Sequence, residues 1–583
     1  MYSNKEHVNI LTALLVRHGV RHAVVCPGSR NAPIVHNLNE CPDIKCHAVT
    51  DERSAGFYAL GMTQALNEPV AVCVTSGTAL LNLLPAVAEA WYQHLPLVVI
   101  SADRPQQWID QLDGQTLPQP GALGRFTRCN VSLPEISPFT HQPSPTTQEQ
   151  RWHCNRLVNE ALIAATKGGD PRPVHINVPI SEPLFTFDIP ELPEERSIVR
   201  ITPPVDYDVL PIEFVDGLAA AKRPMIVFGQ VNPHDFDCDG VDYLFGHVIV
   251  LHETLATFPH VSHFDEVLFS EETRSKEDGD DQGLLPPDFI VYVGDCIVSK
   301  RLRQFLRRAI DAETWRISYS GDVEDTFMNL RGIIVGDAEQ VLQALDDKMR
   351  FRRMAGREYR RQWLRLLTQA GEHARNHEPG YSQMAAVREF ERQLTVHYAP
   401  FTPHLSVHYA NSSSVRLANI YAEHHVWCNR GVNGIEGSLS TAAGYSIVAD
   451  SLPYTLHPSL VFCVIGDLSF FYDQNALWNQ ELGGSLRVLL LNNGCGGIFR
   501  QLPGLEQSPA RDRYVTARHS TTAEGICMQH AVGYRVAHDM ETLRKGVEWL
   551  MTAEATKPLL LEVKTDADSD DRELRNYYRA TKF

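Results

Sequence analysis

The sequence has few basic residues for its length. Its 583 residues include 53 Lys and Arg against 71 Asp and Glu, which gives a formal net charge of −18 at pH 7. General binding to nucleic acid or to an anionic membrane requires a basic surface, so we expect neither of these partners. An overall negative charge still allows a local basic pocket that binds small anions.

Long apolar segments and cysteine or histidine metal motifs are also missing. No run approaches the roughly 18 apolar residues of a membrane-spanning helix, and the N-terminal MYSNKEHVNILTALL lacks the basic start of a signal peptide. The 12 cysteines contain no C-x-x-C pair, and the 25 histidines no H-E-x-x-H motif. Cys26, Cys73 and Cys463 lie inside apolar runs, as reduced core cysteines do. We therefore expect a cytoplasmic protein without an integral membrane segment.

The sequence does contain a recurrent pattern of short apolar runs, each followed by a polar or glycine-rich turn and then by a helical stretch. Continuous apolar runs between helices are typical of parallel strands that are covered on both faces. The predicted fold class is therefore α/β, with three doubly wound domains and mainly parallel sheets. The runs are HAVVCPGSR, PVAVCVTSGTA, LPLVVISADRP and PVHINVP in the first third, PMIVFGQVN, HVIVLHET and FIVYVGD in the middle, and HHVWCNRG, LVFCVIGD, RVLLLNNG and LLLEVKTD in the last third.

Composition also indicates where the domains meet. A proline-rich linker spans 181–211, and a charged helical stretch ends near HEPGY, close to residue 380. A chain of this length is too long for a single core. We predict an N-terminal domain at 1–185, a central domain at 186–370 and a C-terminal domain at 371–583. The acidic run SEETRSKEDGDDQG at 270–283 is predicted to be a solvated loop of the central domain.

Two consecutive apolar runs in the last third end in residues that suit a metal-bound diphosphate. The first ends in Asp467, and the second ends in Asn493, about one β-α-β unit later. Parallel strands place both ends at the same edge of the sheet, so a carboxylate, an amide oxygen and backbone N–H groups would share one crevice. Oxygen ligands of this kind suit Mg²⁺. The alternative is that Gly-Asp and Asn-Gly simply form turns after the strands.

The pairing of these two ends resembles the thiamine-diphosphate-dependent enzymes. Gly-Asp followed by Asn-Asn one crossover later is the metal-diphosphate signature of that family. PGSR (27–30), DERSAGFYALGMTQA (51–65) and TSGTALLNLLPAVAEA (75–90) follow the layout of its pyrimidine-binding domain. The resemblance spans about residues 8–505 and is weakest in the middle third.

The resemblance implies thiamine diphosphate as the cofactor, held by Mg²⁺ or Mn²⁺. Glu52 matches the catalytic carboxylate that bonds to the aminopyrimidine ring of the cofactor. Asp467 and Asn493 match side-chain metal ligands, and Cys495 matches a third ligand through its backbone carbonyl. Ile435 matches an apolar support under the folded cofactor, a role compatible with packing in an ordinary core. The implied cofactor contacts are Glu52, Ile435, Asp467, Leu468, Ser469, Asn493 and Ile498.

Within this family, the chain is similar to one branch, the synthases of menaquinone biosynthesis. The motifs PGSR, DERSAGF, TSGTA, SADRP, NSSSVRL, NRGVNGIEG, GDLS and NNGCGGIF occur in the order typical of that branch. Leu468 favours it further, because most of the wider family has glycine there. The branch implies thiamine-dependent decarboxylation of 2-oxoglutarate, followed by 1,4-addition of the resulting succinyl carbanion to isochorismate.

Both of these substrates are dicarboxylates, which arginine binds well through paired hydrogen bonds. A basic pocket for them has to come from a few arginines near strand ends or helix starts, although each arginine could form a structural ion pair instead. For Lys300 and Arg301, a helix with a basic face is an equally good interpretation. The implied substrate contacts are Ser29, Arg30, Arg104, Gln115, Lys300, Arg301, Ser412, Arg416, Arg430, Phe499 and Leu502.

The resemblance also implies a homodimer or homotetramer with active sites at the subunit interface. In this family Glu52 of one subunit would face Asp467 of another. Two other functions stay open: a different thiamine-diphosphate decarboxylase or carboligase, and a non-catalytic relative that binds the cofactor. The arginines and Leu468 disfavour the first alternative, and Glu52 disfavours the second.

Overall fold

Three parallel β-sheets, one in each third of the chain, form the framework of the protein. The computed structural model describes residues 1–136, 145–166, 169–201, 207, 209–234, 236, 239–258, 260–278, 284–398, 405–451, 459–502 and 504–581. Each sheet has a hydrophobic core on both faces. Adjacent residues of one strand therefore enter different cores, as Val72 and Cys73 do. The predicted α/β class with three doubly wound sheets is confirmed.

The first third forms a six-stranded sheet, which we call the N-terminal sheet. The strands of this sheet are β2 (His22–Val25), β3 (Lys45–Ala48), β4 (Val70–Val74), β5 (Leu97–Asp103), β6 (Cys129–Ser132) and β7 (Val174–Pro179). The same part of the chain contains β1 (Tyr2–Ser3) and β8 (Phe187–Ile189), and the helices α1 (Glu6–Arg17), α2 (Ala32–Glu40), α3 (Glu52–Leu66), α4 (Thr78–Asn82), α5 (Leu84–Tyr92) and α6 (Pro145–Ala165). The order is β3-β2-β4-β5-β7-β6, with all neighbours parallel. β1 pairs with β8 in a separate antiparallel ribbon.

The middle third forms the five-stranded central sheet, in the order β10-β9-β11-β12-β13, also parallel throughout. Its elements are β9 (Pro224–Phe228), β10 (Ile249–His252), β11 (Phe289–Val293), β12 (Glu313–Ser318) and β13 (Leu330–Val335), with α7 (Ile212–Ala220), α8 (Asp242–His247), α9 (Phe264–Asp278), α10 (Lys300–Arg307), α11 (Ala338–Met349) and α12 (Arg357–Asn376).

The last third forms the five-stranded C-terminal sheet, in the order β14-β15-β16-β18-β17, parallel as well. Its elements are β14 (Leu405–Tyr409), β15 (Leu460–Gly466), β16 (Leu486–Asn492), β17 (Gly533–Ala537) and β18 (Leu559–Lys564), with α13 (Gln383–His397), α14 (Ser413–Tyr421), α15 (Ser438–Val448), α16 (Asp467–Tyr472), α17 (Glu524–Gln529), α18 (Met540–Thr552) and α19 (Ala567–Arg579). The three sheets lie within the three predicted domains, whose limits stay predictions.

Two local predictions are wrong. HHVWCNRG is not a strand, because only Trp427 forms a bridge, to His408, and the segment then turns toward α15. The acidic run was expected to be a loop, but residues 270–278 are the last part of α9. Acidic and basic side chains are compatible with a solvated helix face, so charge density alone did not distinguish helix from loop. The rest of that run, 279–283, lies outside the described residues.

Helices α3 and α15 cross so closely that only glycine fits at the crossing. A Cβ atom at Gly61 of α3 would lie 2.0 Å from the carbonyl oxygen of Thr441, and one at Gly444 of α15 would lie 2.2 Å from that of Tyr58. Around this crossing, strand residues of the N-terminal and C-terminal sheets, among them Val72 and Val488, join one hydrophobic core. The first and last thirds of the chain are therefore fastened to each other through two helices.

A charged cluster links the first third to the central sheet. His94 Nδ1 lies 2.5 Å from Asp170 Oδ1, and its Nε2 lies 3.4 Å from Asp295 Oδ1, just after β11. Burial lowers the pKa of His94, but the carboxylates of Asp295 and Asp170 outweigh it and raise this pKa to about 9. The imidazolium therefore bridges two carboxylates on different elements at neutral pH.

Among the described residues, no helix has both the length and the apolar character that a membrane crossing requires. The described cysteines are all free.

We expect Gly444→Ala to destabilise the protein although alanine is the better helix former. The new methyl group would meet backbone atoms of α3, which cannot move as a side chain can, and overpacking of this kind costs about 1–3 kcal/mol. The matched control is Gly525→Ala in α17, where a Cβ would meet nothing within 4 Å. Thermal unfolding should show a lower Tm for Gly444→Ala and an unchanged or higher one for Gly525→Ala. Equal Tm values would contradict the close crossing.

We also expect the stability of the protein to fall as the pH rises from 6.5 to 9. The pKa of His94 is about 9 in the folded chain against an ordinary 6.5, so its stabilising charge is fully present below pH 6.5 and is lost as the pH passes 9. His94 has a φ of 54°, which asparagine tolerates, so His94→Asn removes the charge without backbone strain. The Tm should fall less steeply over this range in the variant, the difference corresponding to about 3 kcal/mol at most. Parallel Tm curves would contradict the bridge.

Candidate active site

The ends of β15 and β16 meet at the carboxyl edge of the C-terminal sheet. Asp467 follows β15 as the first residue of α16 and is only 4% exposed. Its Oδ2 accepts hydrogen bonds from the backbone N–H groups of Asn493 (3.2 Å), Gly494 (2.8 Å) and Cys495 (3.2 Å). Its Oδ1 accepts one from the N–H of Leu468 at 2.7 Å. The two ends that the sequence pairs therefore form one bonded unit.

The turn after β16 needs glycine at its centre. Gly494 has a φ of +74°, and a Cβ there would lie 2.7 Å from the carbonyl oxygen of His519. This geometry directs three successive N–H groups at one carboxylate oxygen. His519 Nε2 also lies 3.5 Å from Asp467 Oδ2. The turn is a nest of backbone donors of the kind that also binds phosphate oxygens.

The oxygen atoms at this edge fit a hard divalent cation. They are the carboxylate of Asp467, the side-chain oxygen of Asn493 and the backbone carbonyl of Cys495. Burial and the charge of Asp467 raise the pKa of the Cys495 thiol to about 11, so a thiolate ligand is disfavoured. In the part of the chain that the structure describes, no cluster of three or more His, Cys, Asp or Glu residues could hold a metal ion. A set of protein ligands with only one carboxylate suits a Mg²⁺ ion that is also coordinated by phosphate oxygens.

Glu52 begins helix α3 at the carboxyl edge of the N-terminal sheet. The preceding Asp51 caps the helix by accepting hydrogen bonds from the N–H groups of Arg53 and Ser54. This cap fixes the first turn, and with it the position of Glu52. The Glu52 side chain is half-buried, and its Oε2 accepts one long hydrogen bond, 3.5 Å, from Asn82. Its carboxylate is thus held weakly and is open to a ligand.

The predicted apolar contacts lie on the accessible surface of the single chain. Ile435 is 40% exposed, Phe499 39% and Leu502 46%, and Ile498 is half-buried. Ile435 therefore does not belong to an ordinary core. The buried Ser469 donates from its hydroxyl to the carbonyl oxygen of Ile435, which ties the loop before α15 to α16.

The first group of predicted substrate residues lies at the edge of the N-terminal sheet. Arg30 and Arg104 lie near each other there. Burial lowers the pKa of Arg30, and the nearby positive charge of Arg104 lowers it further. Arg30 is buried and donates to the carbonyl oxygen of Ile180 at 2.9 Å, which favours the structural interpretation of this arginine. Gln115 has a φ of 56° and packs its backbone against Gly77. Ser29 is exposed, and Arg104 pairs with Asp113 at 3.0 Å.

The second group joins the central and C-terminal sheets. Burial lowers the pKa of Arg416, nearby Asp265 and Tyr578 raise it, and the smaller effects of Arg430 and Arg301 lower it, so Arg416 lies near both arginines and near Asp265. Arg301 pairs with Asp265 and stacks on the ring of Tyr578. Arg416 is exposed and has neither a hydrogen bond nor an ion pair among the described residues.

The remaining members of the second group differ in exposure. Arg430 is 9% exposed and donates to Asn411 Oδ1 at 3.1 Å. Lys300 is exposed at the start of α10, and Ser412 precedes α14 with a left-handed φ of 73°. Within the described residues, no hydrogen bond or ion pair joins this group to the first one.

A separate cavity of about 100 Å³ lies at the carboxyl edge of the central sheet. Its lining includes Gln230, Gly294, Asp295, Ser318 and Trp427, and none of the predicted site residues. The cavity is therefore distinct from the edge that carries Asp467.

Two residues of the site region were not predicted from the sequence. Glu89 of α5 is 3% exposed, and its carboxylate accepts from the N–H groups of Gly431 and Val432 at 2.7 Å each. An acid inside the apolar stretch PAVAEAW was a usable signal for it. Asp570 of α19 accepts from Asn493 Nδ2 at 2.8 Å. No local sequence pattern predicts that contact, because the two residues are 77 positions apart.

Comparison with known proteins places these features in a class. The family described as thiamine pyrophosphate enzyme, N-terminal TPP binding domain, matches residues 6–121, which include Glu52 and the sheet edge around it. Thiamine pyrophosphate is another name for thiamine diphosphate. The fold and this domain define the protein as a thiamine-diphosphate enzyme.

Full-length relatives narrow the assignment. The chain is 42% identical to the 2-succinyl-5-enolpyruvyl-6-hydroxy-3-cyclohexene-1-carboxylate synthase of Bacteroides thetaiotaomicron, with 100% of both chains covered. Proteins of the same name from Phocaeicola vulgatus and Flavobacterium psychrophilum are 40% and 33% identical, covering 100% and 96% of this chain and 99% and 96% of theirs. The chain therefore belongs to the 2-succinyl-5-enolpyruvyl-6-hydroxy-3-cyclohexene-1-carboxylate synthase family, which confirms the branch that the motifs resemble.

We expect Asp467→Ala to lose Mg²⁺-dependent binding of thiamine diphosphate. The change removes the one carboxylate of the ligand set, which also accepts hydrogen bonds from four backbone N–H groups. Affinity should fall by more than the roughly 10–100-fold typical of residues that only support a ligand. Calorimetric titration with and without Mg²⁺ measures this, with the exposed Asp311→Ala as control. Unchanged affinity would refute the ligand role.

Proposed function

We propose that the protein converts 2-oxoglutarate and isochorismate into 2-succinyl-5-enolpyruvyl-6-hydroxy-3-cyclohexene-1-carboxylate and CO₂, a step of menaquinone biosynthesis. The reaction is a decarboxylation followed by 1,4-addition of the succinyl unit to the ring alkene. The observation that carries the proposal is the Asp467 carboxylate bonded to the Asn493–Cys495 turn, at the edge of two neighbouring parallel strands. Similarity to the synthases over the whole chain supports the choice of reaction.

Asp467, Asn493 and the backbone carbonyl of Cys495 would hold Mg²⁺ or Mn²⁺, and with it the diphosphate of the cofactor. Thiamine diphosphate supplies, when bound, the carbon nucleophile that this chain's side chains lack. Leu468 and Ser469 would contact the diphosphate side of the cofactor. Ile435 and Ile498 would support the cofactor from below, which gives their accessible apolar side chains a function.

Glu52 would hold and release a proton at the aminopyrimidine ring, which is general acid–base work. Its weak hydrogen bond to Asn82 supports this role, because a strongly paired carboxylate would be a poorer proton carrier. Glu52 and Asp467 would come from different subunits of a homodimer or homotetramer.

The arginines would bind the substrate carboxylates. Arg416 supports this best, because it is exposed, unpaired among the described residues and close to Arg301 and Arg430. Arg301 already pairs with Asp265, whereas the exposed guanidinium of Arg416 remains available to a substrate carboxylate. The remaining substrate contacts would come from Lys300, Arg30, Arg104, Gln115, Ser29 and Ser412. The apolar side chains of Phe499 and Leu502 would exclude water from the site. We also propose that the protein is located in the cytoplasm.

One assay tests the reaction. Purified protein, thiamine diphosphate, Mg²⁺, 2-oxoglutarate and isochorismate are mixed, and the product mass is recorded. We expect the adduct of isochorismate with the succinyl unit, with release of CO₂. Absence of this adduct, with turnover in a parallel reaction that contains pyruvate instead of 2-oxoglutarate, would reject the proposal in favour of another thiamine-diphosphate decarboxylase or carboligase.

Glu52→Gln separates catalysis from binding. The amide keeps the size of the side chain but carries no exchangeable acidic proton, so turnover should fall by about 10²–10⁴-fold. Calorimetry should show thiamine diphosphate affinity largely retained, because Asp467 and its turn are unchanged. Glu68→Gln, at an exposed acid just beyond the same helix, serves as the control. A Glu52→Gln variant with full activity would show that the catalytic assignment is wrong.

A further inference from the structure

Helix α19 lies against the loop that carries the metal-binding residues. It follows β18, which pairs with β16 in the C-terminal sheet. Three of its side chains reach the loop. Asp570 contacts Asn493 at the start of the loop, and Asp571 pairs with Arg500 at 3.0 Å near its end. Asp568 adds a second pairing to Arg500. The last helix of the chain thus holds the loop on both sides.

The contacts of Asp570 fix the direction of the Asn493 amide. Asp570 Oδ2 accepts from Asn493 Nδ2 and from Thr565 Oγ1, both at 2.8 Å, and its Oδ1 accepts from the N–H of Gln383 at 2.8 Å. An ionised carboxylate accepts hydrogen bonds and donates none. Only the NH₂ end of the Asn493 amide can therefore face Asp570, and the amide oxygen must point the other way. That oxygen accepts from the N–H of Cys495 at 3.3 Å, on the side of Asp467.

We propose that Asp570 is a positioning residue for the metal site: it orients Asn493 so that the amide oxygen, and not the NH₂ group, faces the metal ion. A metal ion is bound by the oxygen of an amide, so the wrong end would remove one ligand. This inference deepens the proposed function and rests on its metal site. It also gives the C-terminal helix a role in cofactor binding.

The variant Asp570→Asn tests the orientation with almost no change in volume. The NH₂ group that it introduces has to face either Gln383 N–H or the Asn493 and Thr565 side. In the first case two donors oppose each other at the start of α13. In the second case the Asn493 amide turns to offer its oxygen to the introduced NH₂ group, and its own NH₂ group faces the metal. Both arrangements weaken the site, and Asp570→Ala removes the constraint entirely.

The measurement is a calorimetric titration of thiamine diphosphate into the full-length protein at a series of Mg²⁺ concentrations. We expect Asp570→Asn and Asp570→Ala to bind roughly 10–100-fold more weakly at subsaturating Mg²⁺, with part of the loss recovered at high Mg²⁺. The matched control is Glu573→Gln on the same helix. Glu573 also accepts from a backbone N–H, that of Gly380 at 2.9 Å, but does not touch the loop. The control should bind like the wild type.

A double variant shows whether Asp570 acts through Asn493. If it does, Asp570→Asn should cost little further affinity in an Asn493→Ala background, because the group that it orients is gone. Losses that simply add, or wild-type Mg²⁺ dependence in Asp570→Asn, would overturn the inference while leaving the proposed function intact. A wild-type protein without Mg²⁺-dependent binding would overturn both. Tm values of the cofactor-free variants, compared with Glu573→Gln, separate a general loss of folding from the specific effect.

Discussion

The close crossing of α3 and α15 is the constraint on which the positions of Glu52, Ile435 and Asp467 depend. Glu52 is the first residue of α3, the loop with Arg430 and Ile435 leads into α15, and α15 packs on β15, whose end presents Asp467. Glycine at both contact points lets the two backbones touch. At Gly61 and Gly444 each helix meets backbone atoms of the other, which cannot move aside as a side chain can, so these contacts limit how closely the helices lie. The edges of two sheets are thereby held in a fixed relation within one subunit.

Hydrogen bonds around the crossing also hold the first and last thirds of the chain together. Tyr58 donates its hydroxyl proton to the carbonyl oxygen of Ala476 at 2.5 Å, and Arg53 donates to that of Tyr472 at 2.7 Å. These bonds lie close to the start of α3 and the end of α16. Short helices at a sheet edge are weak by themselves, so α16, with six residues, depends on such contacts to keep Asp467 in place.

Sequence reasoning reached the framework and the local parts of the site, but not the contacts between distant segments. Continuous apolar runs such as LVFCVIG sit in fully buried parallel strands, so their pattern predicted the C-terminal sheet well. HHVWCNRG has only three consecutive apolar residues, Val426 to Cys428, and it forms a single bridge through Trp427. The proximity of Asp467 and Asn493 followed from the characteristic length of a β-α-β step, and their roles as metal ligands stay predictions. Asp570 could not be found, because only the three-dimensional fold brings the tail of the chain beside the loop.

The buried carboxylate of Glu89 has a consequence for how this chain can be rearranged. Glu89 lies in the first third of the chain, and its carboxylate accepts hydrogen bonds from two backbone N–H groups of the loop that carries Arg430 and Ile435. Burial raises the pKa of this carboxylate. A carboxylate in such a place is costly without those two donors. A chimera that exchanged the first third for that of a distant relative would leave this charge, or these donors, without a counterpart. The first third of the chain and the loop before α15 would therefore have to be exchanged together, although their sheets look like separate modules.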